Sequence, residues 1–369
     1  MKQTIVALSL LLVVAGANRA IAADTPPAEG SKAYQQAVER AVDFLRAKGQ
    51  QADGSFSPQV GTGVTALVTF SLLRNGRTAE DPVVAKGLAY LEKFVQPDGG
   101  IYLKDGFQPN YETCLGVLCF SAVNGDHRYD KLVKNADKYL KGAQWGETPA
   151  ADRSEPTWGG AGYGKHKRPD LSNTAFLVEA LRAAGNSPDD EAVKRALVFV
   201  SRCQNLESEA NTTKFAAKVN DGGFYYTPAA GGESFAGKTP EGGLRSYGSM
   251  TYAGLKSMLY AGVGPNDPRV KAAHKWISAH FDVTSNPGLG KAGLYYYYHL
   301  FAKALDALGE KEITDSSGVK HDWRKELRIE LLRRQRPDGS WVNEETKWLE
   351  GDPSLVTAYA LMSLAYCRP

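Results

Sequence analysis

Gln335-Arg336-Pro337-Asp338-Gly339-Ser340-Trp341 is a turn sequence set between two runs of helical periodicity, and weaker copies of it recur upstream. They are Gln50-Gln51-Ala52-Asp53-Gly54-Ser55-Phe56, Gln96-Pro97-Asp98-Gly99-Gly100, Trp158-Gly159-Gly160, Asp221-Gly222-Gly223-Phe224 and a worn Gly288-Leu289-Gly290. A unit that returns six times along 369 residues points to one repeat-built domain rather than two unrelated ones.

Working outward from each turn, the spacing of apolar residues predicts a helix on either side. The expected pairs are Tyr34–Lys48 with Thr62–Leu73, Val83–Phe94 with Tyr111–Val123, and Leu132–Ala143 with Asp170–Ala184. Three more follow: Glu191–Cys203 with Tyr247–Ala261, Arg269–His280 with Leu294–Leu308, and Trp323–Arg334 with Pro353–Tyr366. The first helix of each pair has a charged face and the second is nearly apolar all round, which separates outer helices from buried inner ones. Six such pairs predict an all-α, six-repeat α/α barrel, or toroid.

The inner helices then all run one way, so their N-termini share a pole with the long loops at residues 146–169, 205–246 and 342–351, and that pole is the expected working face. Aligned on their starts, the inner helices put Thr65, Thr113, Thr174, Thr251 and Thr357 in one column, with Tyr298 in the fifth repeat. The column reads as structural, serving free N–H groups and close packing; the alternative is a polar ring at a cavity mouth.

Residues 1–22 read as an export signal: Lys2, an apolar run from Ile5 to Ala17, and Ala20-Ile21-Ala22 as a small-residue cleavage site. A short disordered leader is expected over 23–31 and the toroid over 32–369, in a protein exported to the periplasm or secreted, without a transmembrane segment. Of 44 Lys+Arg and 41 Asp+Glu, Lys2 and Arg19 lie in the signal, so the remainder is almost neutral and implies no nucleic-acid partner. Cys114 and Cys119 are five apart on one predicted helix, about 140° around its axis, and cannot bridge each other. Four free thiols are expected, with Cys203 and Cys367 at opposite poles.

The last turn, with Gln335, Asp338, Gly339 and Trp341, resembles the QW motif of squalene-hopene and oxidosqualene cyclases, and the helical pairs resemble prenyltransferase and squalene-oxidase repeats over the whole of the expected toroid. The resemblance implies the toroid fold and gives Gln335 and Trp341 a structural role, tying neighbouring outer helices together. The cyclases it resembles protonate an olefin with the central aspartate of a D-x-D-D-T motif; the matching stretch here is Asp170-Leu171-Ser172-Asn173-Thr174, with Ser172 at the acid position. A serine hydroxyl cannot protonate an alkene. Prenyltransferase β subunits hold zinc through an Asp-x-Cys pair and a later histidine, whereas Glu112 precedes Cys114 here and no histidine follows His321, so no metal and no cofactor is expected. The thioester motif of complement-type domains is absent as well.

What remains at the expected pole is aromatic and basic: Asp170, Tyr225, Tyr226, Arg245, Tyr247, Tyr295, Tyr298 and His299 are the candidate ligand-binding residues, with Lys165-His166-Lys167-Arg168 in a loop beside them. Each has a plainer role, Asp170 as a helix N-cap, the tyrosines and His299 as packed and hydrogen-bonded, and the basic run as a solvated loop. Three readings follow: a ligand-binding barrel, a carbohydrate-active enzyme with a Tyr base and an Arg or His facing an acidic saccharide, or an isoprenoid cyclase with another initiating acid such as Asp170. The partner is accordingly an isoprenoid, an acidic saccharide or a protein.

Overall fold

The structure, a computed structural model, describes residues 29–148, 150–165 and 167–369. The expected signal peptide and most of the expected leader lie outside these residues; helix α1 (Glu29–Phe44) begins two residues before the expected end of the leader. The other outer helices are α3 (Pro82–Glu92), α5 (Asp130–Ala143), α7 (Glu191–Arg202), α10 (Pro268–Ala279) and α12 (Trp323–Arg334). The inner ones are α2 (Gly63–Arg74), α4 (Pro109–Ala122), α6 (Leu171–Ala183), α9 (Gly248–Tyr260), α11 (Leu294–Leu308) and α13 (Pro353–Leu364). One turn of helix, α8 (Ala216–Val219), sits in the long loop before α9, and a two-residue hairpin, β1 (Ile313–Thr314) with β2 (Lys320–His321), links α11 to α12.

Each inner helix packs on the inner helices of the repeats before and after it, and α13 returns to α2, so the inner ring is closed. The inner helices are buried along almost their whole length, as a helix apolar on every side must be.

The repeated turn is the joint between units. In the last repeat, Asp338 Oδ1 accepts from Ser340 N at 3.1 Å and shapes the turn, and Gly339 takes φ +89°. A Cβ on Gly339 would run into the Arg40 carbonyl of α1, so glycine is what lets the turn rest on the next outer helix. Gln335 Nε2 donates to Gly339 O in its own turn at 2.9 Å and to Ala37 O of α1 at 2.8 Å. Three more seams use the same pair of bonds: Gln50 to Gly54 O and Val83 O, Gln144 to Gly159 O and Ala192 O, and Gln204 to Gly222 O and Arg269 O. Trp341 is fully buried, and its Nε1 donates to Leu331 O.

The threonine column secures each turn to its own inner helix. Thr65, Thr113, Thr174, Thr251 and Thr357 accept from the backbone N–H of Phe56, Ile101, Ala161, Phe224 and Trp341 at 2.9–3.1 Å. All five are fully buried, so each bond satisfies a donor that water could not reach. The four cysteines are buried and free. No helix among the described residues is long and apolar enough to cross a membrane.

Candidate functional site

A cavity of about 340 Å³ opens at the pole where the inner helices begin. The threonine column sets its register. Two residues before each column position stand Gly63, Tyr111, Ser172, Ser249, Tyr296 and Leu355, and all six line the cavity. Two residues after it, α6 and α13 add Phe176 and Tyr359. The long loops close the top with Tyr163, Phe235, Trp348 and Leu349.

Several rings meet edge to face, Tyr111 on Phe176 at 84°, Phe235 on Trp348 at 63° and Tyr296 on Tyr359 at 61°, while Phe176 and Tyr296 stack at 29°. Such packing makes a box with an apolar interior rather than a flat platform. Most of its polar groups are hydroxyls, with Gln108 and Glu350 at the wall. Ser172 Oγ and Tyr296 Oη lie 2.7 Å apart across the lumen, and Tyr111 is hydrogen-bonded to Tyr359. Burial pushes the hydroxyls of Tyr111, Tyr226, Tyr247, Tyr296 and Tyr359 well above the ordinary tyrosine range, so none is a base near neutral pH.

Three buried carboxylates among the described residues approach this end. Asp170 caps α6, accepting from Asn173 N at 2.9 Å and Asn173 Nδ2 at 2.7 Å, and burial pushes its pKa up to about 6. Glu350, on the cavity wall, accepts from Tyr295 N, Tyr296 N and Asn343 Nδ2, and so caps α11. Glu112 accepts from Thr62 N and Leu103 N, which holds two loops together; the position matching a zinc ligand is thereby spent on backbone.

The structure brings only part of the expected constellation together. Tyr226 and Tyr247 line the cavity, and Asp170 stands behind Tyr226, to which it is hydrogen-bonded. Tyr225 turns away into a small cluster with Phe215 and Leu244, its hydroxyl donating to Arg202 O at 2.5 Å. Arg245 is exposed and donates to Lys238 O, because the loop turns it to solvent. Tyr298 occupies the threonine column and donates to Val283 O at 2.7 Å; Tyr295 packs edge-on against it, outside the cavity lining. His299 is fully buried below the cavity, stacked on Tyr359 with centroids 5.8 Å apart, and neither ring nitrogen has a hydrogen-bond partner among the described residues. The Tyr, Arg and His set imagined for an acidic saccharide is therefore not assembled. In the basic loop, Arg168 pairs with Glu233 at 2.8 Å, and His166 lies outside the described residues.

Tyr111, Tyr163, Phe235, Tyr296, Trp348 and Tyr359 were not singled out by sequence reasoning. The threonine column would have found Tyr111 and Tyr296, since two residues back is the lumen side of the same turn.

Residues 58–228 match the sequence profile of the squalene-hopene cyclase C-terminal domain. A squalene–hopene cyclase of Bradyrhizobium diazoefficiens is 32% identical over 161 residues, 42% of this chain and 23% of the enzyme, so the chain spans less than a quarter of its relative's length. A family 76 glycoside hydrolase from a bovine Bacteroides thetaiotaomicron strain superposes with TM-score 0.55 at 11% identity, over 91% of this chain and 78% of its own. A novel alpha-amylase from Clostridium perfringens does so with TM-score 0.53 at 13% identity, over 93% and 99%. At such identities the two share the fold alone. Taken with the repeated turn and the closed ring, the match over residues 58–228 supports a likeness to squalene-cyclase-type repeat proteins, and the fold is an all-α toroid.

Proposed function

We propose that the protein is a binding barrel for a compact, mostly apolar ligand with one polar end. The observation that carries this reading is the box of aromatic rings with the Ser172–Tyr296 hydroxyl pair facing across it. Pockets of this size bind small molecules by apolar contact and use a few polar groups to orient them. A short isoprenoid, apolar along its length with one polar end, is a ligand of this kind.

The binding proceeds without the chemistry of the cyclases it resembles. Ser172 stands at the position of their initiating acid, and Asp170 is occupied as a helix cap behind Tyr226. Glycoside hydrolysis calls for two carboxyl groups flanking the substrate. Glu350 is the carboxylate on the wall, and its oxygens are taken by backbone N–H groups and Asn343. The reading of residues 1–22 as an export signal supports a barrel outside the cytoplasm and a ligand met in the periplasm or the medium.

A thermal-shift measurement on residues 23–369 tests this, with geraniol and farnesol in one panel and acidic oligosaccharides in the other. A ligand at about a hundred times its dissociation constant adds roughly 2.7 kcal/mol of stability. Stabilisation by the alcohols, lost in Phe176→Ala, is expected; stabilisation by the saccharides alone overturns the reading.

A further inference from the structure

Below the cavity the lumen holds charge. Five residues after the threonine column, helical register turns Phe70, Leu118, Glu179, Lys256, Lys303 and Met362 inward. Glu179 Oε2 accepts from Lys256 Nζ at 2.8 Å, and Glu179 Oε1 accepts from Lys303 Nζ. The second bond joins α6 to α11, which are not neighbours in the ring, so it crosses the lumen. Glu179, Lys256 and Lys303 are 5%, 1% and 3% exposed.

One carboxylate balances one ammonium. A second ammonium at such a depth is relieved most cheaply by losing its proton. Burial holds Lys303 well below the ordinary lysine range and Lys256 down to about 7. A desolvated amine beside another cationic group is the setting in which lysine becomes a nucleophile toward carbonyl compounds. His299, whose ring nitrogens have no hydrogen-bond partner among the described residues, lies close enough for the Lys256 charge to act on it.

We propose that Lys256 forms a reversible imine with an apolar aldehyde bound in the cavity. The proposal rests on the apolar-ligand reading and names the ligand's functional group. Ser249 on the cavity wall stands seven residues before Lys256 on one helix face, about 10.5 Å along the axis. Between them lies Phe176, which lines the cavity and whose ring centroid is 5.7 Å from Lys256 Nζ. The imine requires that side chain to turn aside and open a way from cavity to amine. Lys303 packs instead over Phe70, which is not on the cavity wall.

In the reaction the Nζ lone pair forms a bond to the carbonyl carbon, the amine gives up two hydrogens, and the carbonyl oxygen leaves with them as water. The imine nitrogen then takes up one proton, and the Glu179 carboxylate, 2.8 Å from Nζ, holds the resulting cation. No oxidant or reductant takes part.

The test uses residues 23–369 with farnesal and sodium cyanoborohydride, which reduces a protonated imine to a stable secondary amine, followed by intact-mass and peptide mapping. Farnesol is run in parallel by thermal shift. One adduct per chain on Lys256, suppressed by excess farnesol, is expected. Farnesol stabilisation with no adduct, or with adducts only on Lys303 or surface lysines, overturns the imine and leaves the binding reading standing. That is also what purely electrostatic lysines predict. No stabilisation and no adduct overturns both.

Discussion

The two ends of the inner ring are built from the same six helices and treat charge in opposite ways. At the cavity end, where N–H groups are exposed, acceptors gather: Asp170 on Asn173 N, Asp352 on Leu355 N, Glu350 on Tyr295 N and Tyr296 N, and Asn286 Oδ1 on Ser249 N. At the other end, where carbonyls are left over, donors gather: Asn75 on Ser71 O and Arg182 on Asn186 O, with Lys256 and Lys303 in the lumen above them. Parallel helices add their dipoles instead of cancelling them, so a toroid has a positive and a negative pole, and its buried ionisable groups sort accordingly. The difference teaches that burial strains both ends, raising the acids at one and lowering the amines at the other.

The largest effect expected from unbalancing this arrangement is at the lower end. Glu179→Leu leaves two buried lysines without a counter-charge and should cost about 3–5 kcal/mol in urea unfolding. Adding Lys256→Met and Lys303→Met should restore most of it. If the triple variant stays as unstable as the single one, the lysines are needed at the carbonyl pole for their charge.

The pH dependence of stability separates the ends by sign. Asp170 ionises near 3.8 when unfolded and near 6 when folded, so the folded state binds more protons between these values and stability falls as pH rises through them. Lys256 is protonated when unfolded and largely neutral when folded between about 7 and 10, so stability rises with pH there. Asp170→Asn keeps a capping side chain and should remove the fall, about 2–3 kcal/mol, while leaving the rise intact. An unchanged acid limb would show that Asp170 is not the group responsible. Smaller still, Glu350→Gln weakens the cap of α11 and should cost about 1–2 kcal/mol, read as a lower midpoint with an unchanged urea slope.

The six helical pairs were legible because periodicity and turn residues are local signals, and the predicted and observed helices differ mainly at their ends. The joints were only half legible. Gln335 and Gln50 stand four residues before their glycines, whereas Gln144 and Gln204 stand 15 and 18 before theirs, with loops inserted inside the motif. Spacing hides them, and only folding brings the same two bonds back. The site was least legible of all. Four consecutive tyrosines do not say which one faces inward, and Tyr296 did while Tyr295 and Tyr298 did not. Glu179, Lys256 and Lys303 were lost in helices that read as apolar on every side, since a lone charge there carries no period.

The bond from Gln335 to Ala37 has a further consequence for how the chain assembles. It joins residues 298 apart in sequence, whereas Gln50 reaches Val83 over only 33. For a disordered chain the longer contact costs about 2 kcal/mol more loop entropy, so the ring should close last and at this point. The best-kept copy of the motif, with its Gln, Asp, Gly and Trp all present, is the one at that junction. The chemistry of the other seams recurs there, which makes the start of the chain a matter of convention: a circular permutant that joins the ends and opens the Gly185–Pro188 link should fold to the same ring.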